Sequence, residues 1–264
     1  MTVALPAANR TPTIGSVTRP VRGPVLFARY AYGPNQLGYC GPDDAAELFG
    51  QATRGRDEAS LRRLAGQFEG AFPYLQLIAR ANGLADPLDA CVVEAYWLGN
   101  DLLRRVTPAL MAESLDLRFR RRLGTDGWRW LVNKPDTGAL PMHAFHVLDV
   151  FPRLGLLRGG SVDDVLGVID SCRIRWGRVL ERDSDYLVVS AAPLAMAGGK
   201  LEIAPPRVEK VRAWQQGAGF VDGARPGDVV SIHWDWACDR LDPARLHALR
   251  AWTQHELAIA NLTM

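Results

Sequence analysis

The sequence predicts an α+β protein: a helical N-terminal part, then a small β-barrel, then one closing helix. Three observations carry that expectation. Apolar residues recur at helical spacing from Asp43 to about Leu123. After Ser171 the period shifts to strand-like alternation, in short runs separated by turn residues. From Pro243 to Asn261, Leu246, Leu249, Trp252, Leu257 and Ile259 return to a helical repeat.

Residues 1–24 hold a short apolar patch followed by arginines, prolines and glycines. A secretory signal puts its charge first, so this stretch reads as a flexible arm. Residues 25–160 read as a mainly helical domain. Asp43-Asp44 suits the positive end of a helix opening at Ala45. Ala59–Ala81 places Leu61, Leu64, Phe68, Phe72, Leu75 and Ile78 on one face, with Pro73 kinking or restarting the helix. Pro87–Val106 aligns Leu88, Cys91, Val92, Ala95, Leu98 and Leu102, and Leu110–Leu123 ends in the basic run Arg118–Arg122. A further helix is expected through His143–Val150, and Ser161-Val162-Asp163-Asp164 has the form of a capping box opening a helix to about Ile169.

Residues 161–264 read as the barrel domain with its closing helix. Strands are expected over Cys172–Leu180, Tyr186–Ser190, Lys200–Ile203, Glu209–Trp214 and Asp228–Trp234, the last introduced by the turn Arg225-Pro226-Gly227.

Of the 264 residues, 48% are hydrophobic and 23% charged, the balance of a soluble globular chain. A net charge of +2 gives no sequence-wide argument for nucleic acid or a membrane surface as partner. No apolar run approaches the ~20 residues that span a bilayer. Cys40, Cys91, Cys172 and Cys238 lie far apart without a C-x-x-C pair, which favours reduced thiols and a cytoplasmic location.

The chemistry-bearing pair is Cys172 and His233, one opening the first expected barrel strand and the other near the end of Asp228–Trp234. Cys172-Arg-Ile-Arg-Trp-Gly177-Arg-Val179 resembles the opening of the small HypC-type (HupF, HybG) nickel–iron hydrogenase maturation chaperones. Pro226-Gly227-Asp228-Val229-Val230-Ser231-Ile232-His233 is similar to that family's strand ending in histidine, with Ala237 four residues on and Arg240-Leu241-Asp242 before the last helix. The resemblance covers roughly residues 171–261. The whole chain also resembles an uncharacterised actinobacterial, hydrogenase-associated family that has a Tyr-Cys-Gly-Pro segment, here Tyr39–Pro42.

The resemblance implies a HypC-like, OB-like barrel that binds or delivers an iron centre carrying cyanide and carbon monoxide. It implies a transient iron cargo, the Fe(CN)2CO precursor, with Cys172 as the essential thiolate and His233 as the second group at the iron. The implied partners are a hydrogenase large subunit, a HypD-type maturation protein, or both. A soft thiolate with an imidazole suits low-spin iron, and few protein donors suit a carrier. The chain departs from the family pattern in three ways: its cysteine is internal, Trp176 stands where the family has proline, and the cysteine–histidine stretch is longer.

Other readings compete with this one. His143 and His146 lie three apart, which on a helix brings two imidazoles to one face; with Cys40 they form a possible second metal site, as in a His/Cys metalloenzyme, or else a packed interface. Cys238 and Asp235 could join His233 at a metal, or Cys238 could pack beneath the final helix. A barrel acting as a protein-binding adaptor is the remaining alternative.

Overall fold

The computed structural model describes residues 1–6, 21–55, 58–154 and 161–263. Helix makes up about 51% and strand 18%, in the α+β order that the periodicities predict. The first helix, α1 (Gly23–Gln36), opens with Pro24 in its first turn, where a missing N–H costs nothing. Apart from Arg29 and Gln36 its residues are all buried, so it is a central helix rather than an amphipathic surface one. Around it lie α2 (Ala45–Arg54), α3 (Glu58–Ala65) and α5 (Ala90–Trp97).

Pro73 sits in the first turn of α4 (Phe72–Ala81), so the proline starts a new helix instead of kinking an old one. The apolar face expected across Pro87–Val106 is divided. Asp89 caps α5, which ends at Trp97, and Asn100 caps a separate 3-10 turn, Asp101–Arg105. Beyond it come α6 (Pro108–Leu131), interrupted at Gly124 where φ is 64°, and the short α7 (Lys134–Thr137). The short α8 (His143–Phe145) runs directly into a π-turn, His146–Val150.

The capping box forms as expected: Ser161 Oγ accepts the Asp164 N–H and Asp164 Oδ2 accepts the Ser161 N–H. The helix it opens, α9 (Val162–Cys172), is longer than expected. The Arg173 N–H still donates to the Ile169 carbonyl, which keeps Cys172 helical. Cys172 therefore ends a helix, and the first strand begins only at Arg175. That corrects the expectation that Cys172 opens the strand.

Nine strands follow among the described residues: β1 (Arg175–Asp183), β2 (Tyr186–Ala191), β3 (Leu194–Ala197), β4 (Lys200–Ile203), β5 (Arg207–Arg212), β6 (Trp214–Gln215), β7 (Ala218–Gly219), β8 (Val229–His233) and β9 (Trp236–Arg240). Five close into a barrel in the order β1-β2-β5-β9-β8. All its pairings are antiparallel except β5 with β9, which meet in parallel at Arg212 and Trp236. Alternate residues point inward, so Val179, Leu187, Val189, Val211, Val230 and Ile232 fill the interior. The pairs β3–β4 and β6–β7 are separate two-stranded ribbons.

The terminal helix α10 (Pro243–Ala260) is N-capped by Asp242, whose carboxylate accepts the Arg245 N–H. Trp236, Cys238, Ile174 and Leu241 face away from the barrel interior into the same apolar core as α1 and α5. The helical part and the barrel thus share one core. Of the expected arm, residues 7–20 lie outside the described residues. Val3 donates its N–H to the Thr137 carbonyl, and α1 begins at Gly23. No described helix is long and apolar enough to cross a membrane.

Candidate metal centre

Three elements from different parts of the chain bring one donor each to a single point: α8 supplies His143, the end of α9 supplies Cys172, and the end of β8 supplies His233. Their ligand atoms all lie within 4.8 Å of one another. The barrel register explains two of the three. Antiparallel pairing of β1 with β8 matches Arg175 with Ile232, so the chain just before β1 runs alongside His233. The Trp234 N–H then donates to the Ser171 carbonyl at 2.7 Å, tying the end of α9 to the β8–β9 turn.

His233 is 1% exposed. Its Nδ1 lies 2.6 Å from the Tyr30 carbonyl in α1. A carbonyl only accepts, so Nδ1 carries the proton and Nε2 keeps its lone pair. That Nε2 is buried and has no hydrogen-bond partner among the described residues. Gly33 makes the approach of α1 possible, since a Cβ there would lie 2.6 Å from the His233 carbonyl oxygen.

His143 is held from both sides. Its Nε2–H donates to the Cys172 carbonyl at 2.8 Å, and its Nδ1 lies 3.3 Å from the Tyr96 hydroxyl. The two imidazoles meet edge to face, 4.9 Å between centroids. Trp97 packs against both, at 4.7 Å from His143 and 5.6 Å from His233.

Burial governs the protonation of all three. It pulls His143 down to about 4, with the Cys172 carbonyl opposing. It pulls His233 well below the usual imidazole range, helped by neighbouring His143. It pushes the Cys172 thiol far up, and a charge on Cys40 would push it further. At neutral pH the centre therefore holds two neutral imidazoles and a thiol. A cation would reverse the balance for sulfur, since metal binding stabilises the thiolate and releases its proton.

The donor set fits a metal. Tetrahedral bond lengths of about 2.0–2.3 Å place neighbouring donors roughly 3.3–3.8 Å apart. Small side-chain adjustments would bring the three to that spacing. The Tyr30 and Cys172 carbonyls act as the outer hydrogen-bond acceptors that fix imidazole tautomers around metals.

The remaining candidates lie elsewhere. His146 is not one of the three donors. Its Nδ1 is 3.4 Å from the Tyr74 hydroxyl, and burial and the Arg118 charge hold it at about 3. Cys238, in β9, donates its thiol to the Trp236 carbonyl at 3.4 Å. Cys40 lies on an exposed loop and, like the other three cysteines, forms no disulfide. The part played by His143 beside Cys172 and His233 had no sequence signal beyond its place in the histidine pair. The supporting Tyr30 carbonyl, Tyr96 and Trp97 had none.

Residues 19–264 match the model of a family described only as being of unknown function, DUF6390. No curated protein and no solved structure matches the chain. With nearly its whole length matched, the chain belongs to DUF6390.

Proposed function

We propose that this protein is an accessory factor in the maturation of a nickel–iron hydrogenase, handling iron through Cys172, His233 and His143. The convergence of these three donors carries the proposal. The two residues singled out by the HypC-type resemblance, distant in sequence, are neighbours at the end of a small closed barrel.

The cargo would be the iron precursor bearing cyanide and carbon monoxide. Its diatomic ligands take three positions, and octahedral low-spin iron has three more. Two imidazoles and a thiolate supply that number, with the soft sulfur suited to such iron. His233 offers its unpartnered Nε2, already desolvated and oriented by Tyr30. Trp97 excludes water from both rings. The neutral centre would bind by losing one proton from Cys172 and release by regaining it, with the Tyr96 hydroxyl giving up His143 Nδ1 to the iron. The partners on this reading are the immature large subunit, a HypD-type protein, or both, met in the cytoplasm.

Anaerobic affinity purification from native cells, with infrared spectra in the cyanide and carbon monoxide stretching region, tests the proposal. Bands present in the wild type and lost in a folded Cys172→Ala variant are expected. Absence of bands together with no co-purifying hydrogenase or maturation protein would remove it.

A further inference from the structure

The loop of residues 37–43 has the glycine and proline content of a packed turn before a helix, yet it docks on the very segment that joins the donors. The Tyr39 ring stacks on Trp234 at 4.0 Å with 25° between planes. Trp234 follows His233 and is hydrogen-bonded through its N–H to Ser171, next to Cys172. It holds this position with φ at 54°, a left-handed conformation costly for a bulky residue.

The loop is also tied to α1. Asn35 Nδ2 donates to the carbonyls of both Cys40 and Pro42, at 2.8 and 2.7 Å. Gly41 has φ of 81°, and a Cβ there would meet the Phe68 ring at 2.4 Å, so the tight path needs glycine. These contacts set Cys40 between two anchors: the Asn35 bonds and the Tyr39–Trp234 stack. Cys40 is exposed and forms no disulfide.

We propose that Cys40 is a fourth protein donor, completing a Cys2His2 set with His143, Cys172 and His233 around a bare, borderline-soft divalent cation such as ferrous iron or zinc. The inference rests on the three-donor centre proposed above and adds a fourth ligand that neither HypC-like motif contains. The unpartnered, fully buried Nε2 of His233 is the independent sign that the centre awaits a ligand. Cys40 is not within the 4.8 Å cluster, so the loop must settle inward to close the set. Four thiolate and imidazole donors suit tetrahedral zinc or ferrous iron. Iron already carrying three diatomic ligands needs only the inner three.

Cobalt(II) titration of the full-length, reduced protein under anaerobic conditions reads this directly. The wild type should show tetrahedral d–d bands and thiolate-to-cobalt charge transfer of two thiolates' intensity. Cys40→Ser should halve that charge transfer while the fold, followed by circular dichroism, is unchanged. Loss of a supporting partner alone costs roughly 10–100-fold in affinity, so loss of a donor should weaken cobalt binding by at least about 100-fold. Cys40→Ser with full intensity and affinity, or a wild-type spectrum of one thiolate, would overturn the role of Cys40 and leave the three-donor centre standing. No cobalt binding by the wild type would overturn both.

Discussion

Around Lys134 the protein buries charge and pairs it; around His143 it buries rings and a thiol and keeps them neutral. Lys134 is 1% exposed and its Nζ lies 2.6 Å from Asp149 Oδ1, with further bonds to the Ile259 carbonyl and Thr263 Oγ1. Arg153 adds a second cation to Asp149. Beside them Glu256 is fully buried and accepts the Leu140 N–H, and burial with the neighbouring Asp149 charge raises its pKa well above the usual carboxyl range. That cluster pins α7 and the π-turn to α10, and every Lys134 proton has a partner. The atoms left without a partner there, Asp149 Oδ2 and Glu256 Oε2, belong to carboxyl groups bonded through their other oxygen, whereas in the His143–Cys172–His233 cluster the orphan is the lone pair of an imidazole, His233 Nε2. A buried polar group left without a partner costs about 1–3 kcal/mol, which the fold tolerates where a ligand is to take its place. One cluster reads as architecture and the other as a site.

That contrast can be broken from the Lys134 side first. Lys134→Met strands the Asp149 charge, so denaturant unfolding should show a loss of about 3–5 kcal/mol. Replacing Asp149 by leucine in the same chain should recover most of it. A single-variant loss below about 1 kcal/mol would mean that the pair holds nothing together.

Acid should strike the buried imidazoles next. His143 is held at about 4, His146 at about 3 and His233 well below its ordinary 6.5. Below pH 6.5 the unfolded chain takes protons that the folded chain refuses. Stability contributed by the neutral rings is thus complete above about 6.5 and falls as pH drops toward 4. The slope is at most about 1.4 kcal/mol per pH unit for each ring. For the metal-free protein, urea unfolding at pH 6.5 and at pH 5 should differ by roughly 2–3 kcal/mol in stability, after the opposing raised carboxyl groups. Equal midpoints would deny that the rings are buried neutral.

Glu256 gives the smallest effect, with the opposite sign. Its folded pKa is raised, so the unfolded chain ionises first and stability drains away as pH rises above about 4.5. Glu256→Gln should gain about 1 kcal/mol or more at pH 8 and almost nothing at pH 4, since each tenfold change in proton affinity on folding is worth about 1.4 kcal/mol. A loss at pH 8 would show that the carboxyl is ionised in the fold.

Local patterns were legible where chemistry is local. The Ser161 capping box, the strand Lys200–Ile203 and the helix opening at Pro243 follow from neighbours in sequence. α1 was not: Pro24, Gly33 and Pro34 mark it as a breaker-rich stretch, and only burial on nearly all sides keeps it helical. β9 was missed because Trp236-Ala-Cys-Asp-Arg is short and directly follows a two-residue turn. Cys172 and His233 were legible as a pair through motif resemblance. His143 and His146 looked equivalent from their spacing. The π-turn that starts at His146, and the packing of Tyr74 and Phe119 against it, separate their roles, and no periodicity records that.

The bond between the Tyr30 carbonyl and His233 joins residues 203 positions apart. Closing so long a loop is slow, because chain entropy is spent before any contact repays it. During synthesis α1 emerges early and packs first against α2, α3 and α5, and its contact with β8 and β9 comes last. Until they arrive, Cys172 has only His143 of the other two donors beside it. The three-donor cluster is thus withheld from nascent and truncated chains, and forms only when α1 and β8 have met.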